Sequence, residues 1–193
     1  MPGKHNVLNA TAAIAIATHL GVSDDAIQKG LRDFQGIGRR FEVLGDVVLN
    51  GHPVTIVDDY AHHPVELAAT LSAAEGCWPD RRIVAVFQPH RYSRTFDLFD
   101  DFVQVLAQQK DVLICEVYPA GEEVISGASG GALCQAIRVR GTSNPIFVSN
   151  VEDIQSVLTP LVQDNDVILT MGAGSIGRAS HQLFENLGSR GKS

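Results

Sequence analysis

A chain of 193 residues, 45% hydrophobic and 19% charged, is long enough for one full domain plus a smaller piece and has the composition of an ordinary soluble protein. Its net charge of -7 excludes a general nucleic-acid or anionic-membrane surface, although not local basic pockets. No apolar run approaches a membrane span, and the amino terminus does not read as a signal peptide, because its apolar positions are helical and interrupted by Asn9, Thr11 and His19. Cys77, Cys115 and Cys134 lack metal-ligand spacing and suit a reducing cytoplasm; Cys115, in the run Val112 to Cys115, reads as a small core residue.

Residues 5–20 read as a helix and 24–34 as a second, with Ser23 as its cap. Gly36-Ile37-Gly38 breaks the pattern and reads as a hinge. Beyond it, strands are expected at 41–49, 54–58, 82–87, 112–117, 145–148 and 166–171. Helices are expected at 64–75, 95–109, 129–139, 151–163 and 175–187, with fraying after Leu187. The alternation predicts an α/β, Rossmann-like, mostly parallel sheet of about six strands with helices on both faces. Asn50-Gly51 is a hairpin signal, so the first strand is expected to be antiparallel.

Chemistry concentrates in two places. Asp58-Asp59-Tyr60-Ala61-His62-His63-Pro64 lies between the strand-like Val54 to Val57 and a helix beginning at Pro64, where no backbone N–H is needed. In open α/β sheets, ligands bind at that carboxyl edge. Gln88-Pro89-His90-Arg91-Tyr92-Ser93-Arg94-Thr95 follows the next strand in the same way. Arg91 and Arg94 are three apart, so they can share a helical face and meet carboxylate or phosphate oxygens.

Other segments are weaker. Gly172-Ala173-Gly174-Ser175-Ile176-Gly177 formally matches G-x-G-x-x-G. A dinucleotide fingerprint, however, sits in the first β-α-β unit with an acidic residue about twenty positions on. Here the glycines read as a tight turn into the last helix. No G-x-x-x-x-G-K-[ST] string occurs. Asn6 and Asn9 are either helix-start caps or ligand contacts, and Arg39-Arg40 either a solvated basic turn or an anion site. Asp59 is a helix N-terminal carboxylate or a hydroxyl acceptor. His62 and His63 are adjacent and diverge, with no third ligand nearby, so no metal site is assigned.

D-D-Y-A-H-H-P, F-Q-P-H-R-Y-S-R and Tyr118-Pro119-Ala120-Gly121-Glu122, in that order, resemble the carboxyl-terminal domain of the Mur ligases. The resemblance extends from His5-Asn6-Val7-Leu8-Asn9-Ala10 to Met171-Gly172-Ala173-Gly174. It implies that residues 1–37 are the last helices of a central ATP-binding domain and 38–193 the third domain. It implies a cytoplasmic, ATP- and Mg2+-dependent enzyme of peptidoglycan synthesis, with magnesium held largely by the central domain. Without a phosphate loop, this chain alone is expected to be inactive. Its first two helices would dock elsewhere, self-associate or stay exposed.

Within the family, F-Q-P-H-R-Y-S-R favours the branch that joins L-alanine to UDP-N-acetylmuramate over the branch that recycles peptides. The alternative outside the family is a non-catalytic Rossmann-like nucleotide-binding module. The implied chemistry is attack of a carboxylate on the γ-phosphate of ATP, then attack of an amine on the acyl phosphate with loss of phosphate. By the same resemblance, His5, Asn6 and Asn9 face adenine, Arg40 a phosphate and Asp59 the ribose hydroxyls. His62, His63, Arg91 and Arg94 are the implied catalytic set. His63, His90, Arg91, Arg94, Tyr118 and Glu122 bind substrate, with Glu122 either receiving the ammonium group or solvating a loop.

Overall fold

The computed structural model describes residues 2–141 and 143–190. The strands β1 (Glu42–Leu49) and β2 (His52–Asp59) form the expected antiparallel hairpin. Asn50 and Gly51 both take positive φ, 53° and 87°, which a two-residue turn matching strand twist requires. The remaining strands are β3 (Ile83–Phe87), β4 (Asp111–Cys115), β5 (Ile146–Val148) and β6 (Asp166–Met171). They pair in parallel with β2 and with one another, and the sheet order is β1-β2-β6-β3-β4-β5. The last strand is thus inserted between β2 and β3. The carboxyl ends of β2, β6, β3 and β4 lie side by side on one edge.

Successive strand residues point to opposite faces, so a central strand feeds two cores. Ala85 and Phe87 pack under α3 (Pro64–Cys77), α5 (Phe99–Leu106) and α6 (Gly130–Arg140), against Leu67, Phe102, Leu106 and Leu133. Val84 and Val86 face the other way, toward α7 (Ile154–Leu158) and α8 (Ile176–Arg190), with Leu158, Ile176 and Leu183. Helices therefore cover both faces, as expected for a sheet whose strands are near-continuous apolar runs.

The helix expected at 95–109 begins earlier and is two pieces, α4 (Tyr92–Asp97) and α5, broken at Leu98 (φ -113°, ψ 23°). The break lets Phe102, Val103 and Leu106 turn into the core while Phe96 stays 57% exposed. The helix expected at 151–163 shrinks to a 3-10 turn at Val151–Asp153 followed by α7. Pro160 ends it, because its ring clashes with the carbonyl four residues back and it offers no N–H. The expected fraying after Leu187 does not occur up to Arg190, and residues 191–193 lie outside the described residues.

Ahead of the sheet, α1 (Lys4–His19) and α2 (Asp24–Asp33) bury none of their residues. The Ser23 hydroxyl accepts from the Ala26 amide at 3.4 Å, so the expected cap is present. Leu8 and Ile16 on α1, and Leu20 just after it, are more than half exposed. Among the described residues, no helix is long and apolar enough to cross a membrane.

Gly130 begins α6 hard against β4. A methyl group there would lie 2.2 Å from the Cys115 carbonyl oxygen, which is backbone and cannot swing aside. Gly130→Ala is expected to cost about 1–3 kcal/mol through forced separation of helix and strand. A lowered urea midpoint at unchanged slope would register it; an unchanged midpoint would refute it.

Candidate functional site

The end of β2 carries two carboxylates that face opposite ways, and each organises a different part of the edge. Asp58 is fully buried. Its Oδ2 accepts from Arg39 Nε at 2.8 Å, and its Oδ1 lies 3.0 Å from the Thr170 hydroxyl. The same guanidinium donates through Nη2 to the Gly172 carbonyl and sits 5.0 Å over the Tyr60 ring. Arg39 thus ties the segment before β1 to the ends of β2 and β6. Sequence reasoning missed this role. The available signal was that a carboxylate in a buried strand demands a partner, but nothing local says which arginine supplies it.

Asp59 faces the other way and is also buried. The Phe41 and Ala61 amides donate to its two oxygens, each at 2.7 Å. Burial pushes the Asp59 carboxyl above its usual range, against the opposing pull of those two amides and the Arg40 charge. Arg39 and Phe41 sit at φ 59° and 47°, a conformation that costs non-glycine residues energy. Asp59 and the bond from the Arg39 amide to Glu42 Oε2, 2.7 Å, hold that turn in place. The Arg39-Arg40 pair therefore divides: Arg39 is a clamp, whereas the Arg40 side chain stays 46% exposed, 4.0 Å from Glu66 and 5.6 Å over the Tyr60 ring.

His62 and His63 divide as well. His63 caps α3, its Nδ1 accepting from the Val65 amide at 3.3 Å, and Pro64 occupies the first turn as expected. His62 Nδ1 lies 3.0 Å from the Tyr60 carbonyl oxygen. The Glu66 carboxylate receives both His62 and His63 amides.

At the end of β3, Gln88 reaches across to the glycine turn. Its side chain accepts from the Ile176 amide at 2.9 Å and donates to Ser175 at 3.1 Å. A Cβ on Gly172 would meet the Gln88 carbonyl oxygen at 2.7 Å, and one on Gly174 would meet the Tyr118 ring at 2.6 Å. The glycines permit close packing of this turn against its neighbours, with a side chain where a dinucleotide would need the helix amide.

His90 stacks on Tyr118, with ring centroids 5.4 Å apart, and their backbones form an isolated parallel bridge. Burial, followed by the charges of Arg94, His62 and Arg91, pushes the His90 imidazole below its usual range. Its Nδ1 is buried with no partner among the described residues. Arg91 precedes α4 at φ 74° and lies 3.5 Å from Glu122, whereas Arg94 donates to the His90 carbonyl at 3.2 Å. Glu122 also receives the Ser93 amide and hydroxyl, at 2.9 and 2.8 Å. Those two bonds, with the Arg91 charge, hold its carboxyl below the usual range.

Around the corner, a cavity of about 770 Å³ opens between α1, α2 and the start of α3. Asn6 and Asn9 line one wall, Leu31 and Phe34 a second, and Arg40 and Asp59 the end. His5 and Glu66 also reach it. Its size suits a drug-sized or nucleoside-sized ligand, and its walls are apolar with a few convergent polar groups. The Asn6 side chain meanwhile donates to the Pro2 carbonyl at 2.6 Å, a terminal bond that coexists with lining the cavity.

Residues 39–174 match the family described as Mur ligase, glutamate ligase domain. The chain belongs to the Mur ligase family. It is 53% identical over 189 residues to UDP-N-acetylmuramate–L-alanine ligase of Methylococcus capsulatus, covering 98% of this chain and 40% of that protein. The crystal structure of UDP-N-acetylmuramate-alanine ligase from Thermotoga maritima superposes with a TM-score of 0.79 at 30% identity, covering 98% of this chain and 39% of the other. A murein peptide ligase from Psychrobacter arcticus gives 0.66 at 30% identity, covering 97% and 38%. The chain spans about 40% of the length of the curated relatives it matches. In this Mur ligase chain α1 and α2 precede the matched range, yet they build half of the cavity.

Two expectations follow. Asp58→Ala leaves the Arg39 guanidinium without its carboxylate and should lower unfolding free energy by about 3 kcal/mol, with the Arg39→Ala, Asp58→Ala double variant losing less than the sum. Additive losses in denaturant titrations would show that the two side chains do not couple. The second concerns pH. A depressed His90 pKa means that the unfolded chain binds the proton more readily. His90 therefore contributes stability above the ordinary imidazole range that is lost as pH falls through its folded pKa. Between about pH 7.5 and 5.5, His90→Gln should flatten the fall in urea stability. Parallel wild-type and variant profiles would refute it.

Proposed function

We propose that this chain is the carboxyl-terminal part of a UDP-N-acetylmuramate–L-alanine ligase, working in the cytoplasm on peptidoglycan precursors. The observation that carries this is the cavity. It joins Asn6 and Asn9, from before the glycine hinge, to Arg40 and Asp59, from after it. A carboxamide can donate to and accept from adenine, and a guanidinium suits a phosphate. The division at residues 37 and 38 is proposed on the same ground, since Ile37 and Arg40 bracket the change of direction. The two-arginine segment and the sequence identity to L-alanine ligases favour that branch over peptide recycling.

ATP bound there would supply the phosphoryl group that activates the substrate carboxylate. The chain's own residues bind, orient and neutralise charge. Arg40 faces the phosphates. Arg94 and Arg91 hold the carboxylates of the muramoyl substrate and of L-alanine, Arg91 after leaving Glu122. Glu122 can then turn toward the incoming ammonium group. His62, His63, His90 and Tyr118 line the substrate side of the edge. Asp59 can offer its remaining lone pairs to the ribose while its amide bonds persist. The described residues suit magnesium poorly. Glu42, Asp58 and His181 bring ligand atoms within 4.8 Å of one another, but the Arg39 guanidinium already occupies Asp58. Magnesium and the phosphate loop would come from the rest of the ligase. The exposed apolar side of α1 would pack there too, or against a second copy.

Calorimetric titration of this chain tests the proposal. ATP should bind and NAD should not, and a combined Asn6→Ala, Asn9→Ala change should weaken ATP binding about tenfold, the worth of one or two hydrogen bonds. Binding of NAD in preference to ATP would favour the binding-module alternative. In the complete ligase, Arg94→Ala should abolish most turnover at unchanged melting temperature.

A further inference from the structure

Glu66 stands between the two halves of the edge. It is the third residue of α3 and lines the nucleotide-sized cavity. Its Oε2 accepts the His62 amide at 3.0 Å and the His63 amide at 3.2 Å, and lies 3.5 Å from His62 Nδ1. Its Oε1 lies 4.0 Å from Arg40 Nη1. One carboxylate therefore touches the arginine on the nucleotide side and the imidazole on the substrate side.

The tautomers of the adjacent histidines follow from their partners. His63 Nδ1 receives the Val65 N–H, so that nitrogen carries no proton. His62 Nδ1 faces two acceptors, the Tyr60 carbonyl and the Glu66 carboxylate, so that nitrogen does carry one. Its Nε2 is then the nitrogen left for a ligand. The His62 ring also abuts Tyr60 edge-on at 5.3 Å and lies 6.1 Å from the His90 ring, which fixes its plane within the substrate side.

We infer that Glu66 is a positioning residue for the ligase reaction: it orients His62 with Nδ1 protonated and holds Arg40 at the nucleotide cavity until a phosphate takes over that charge. This rests on the proposed ligase function. The carboxyl group stays ionised for the purpose. Burial raises its pKa, but the His62 amide, the His62 charge and the His63 amide outweigh that and hold it below the usual range.

Gln and Glu both complete a helix capping box, so Glu66→Gln keeps the cap while it removes the charge and replaces the oxygen facing Arg40 with an amide NH2. Glu66→Ala removes both. The protein for kinetics is the complete ligase; the nucleotide-free chain serves for spectroscopy. In 15N spectra of the imidazoles, wild-type His62 should show the Nδ1-protonated form, and Glu66→Gln should shift it toward a mixture. In kinetics, Glu66→Gln should lower kcat about tenfold, one charge-assisted contact's worth, at unchanged melting temperature. Its KM for ATP should not rise, because Arg40 loses a competitor for phosphate. Glu66→Ala should lower the melting temperature as well.

A Glu66→Gln enzyme with wild-type kcat and an unshifted His62 spectrum would overturn the positioning role and leave Glu66 a cap. An Arg40→Ala control separates the two levels. If it raises the KM for ATP while Glu66→Gln changes nothing, only the Glu66 inference fails. If Arg40→Ala leaves ATP use untouched, the placement of the nucleotide fails with it.

Discussion

The buried Asp58–Arg39 pair is the constraint from which the rest of the edge takes its shape. A carboxylate inside a strand covered on both faces is tolerable only with a charged, hydrogen-bonded partner. Arg39 supplies that partner from outside the sheet, and its backbone must bend to do so. The bend places Arg39 and Phe41 in the left-handed region, and Asp59 holds it there by receiving the Phe41 amide. With the turn set, Arg40 lines the cavity beside α1. A structural ion pair thus helps to decide where the neighbouring Arg40 guanidinium points.

The same economy recurs along the edge. Adjacent like residues take different partners: Asp58 meets Arg39 and Asp59 two backbone amides, Arg39 is clamped while Arg40 stays half exposed, and His63 caps α3 while His62 faces Tyr60 and Glu66. In the strand pair Asp58-Asp59 the alternation of direction along β2 sends the two carboxylates to opposite faces. The glycine turn plays only a structural part. Its residues let Gln88, Tyr118 and Arg39 approach the start of α8, and this close packing sets the floor of the edge.

Much of the fold was legible. Six apolar runs gave six strands, and Asn50-Gly51 marked the one antiparallel pair, because both signals are local. The two helices that differ from expectation have different causes, one tertiary and one local. The break at Leu98 reflects where Phe102 and Leu106 must point, whereas α7 ends at Leu158, just ahead of Pro160. In the site, His63 Nδ1 and both Glu122 carboxylate oxygens are engaged by the chain itself, which residue type alone does not reveal.

By itself the sequence determined which residue types gather at each strand end, and through their order the family. Those are properties of local pattern and of strings, and they survive without coordinates. Only the tertiary structure decided the strand order that inserts β6 between β2 and β3, and so brings Gly172 within reach of Arg39. It also lines one cavity with Asn6, Asn9, Arg40 and Asp59, a grouping that the resemblance implied but no local pattern carries. The reason is physical. Which of two neighbouring charges is buried, and against what, depends on partners up to 133 residues away, and no local propensity carries that information.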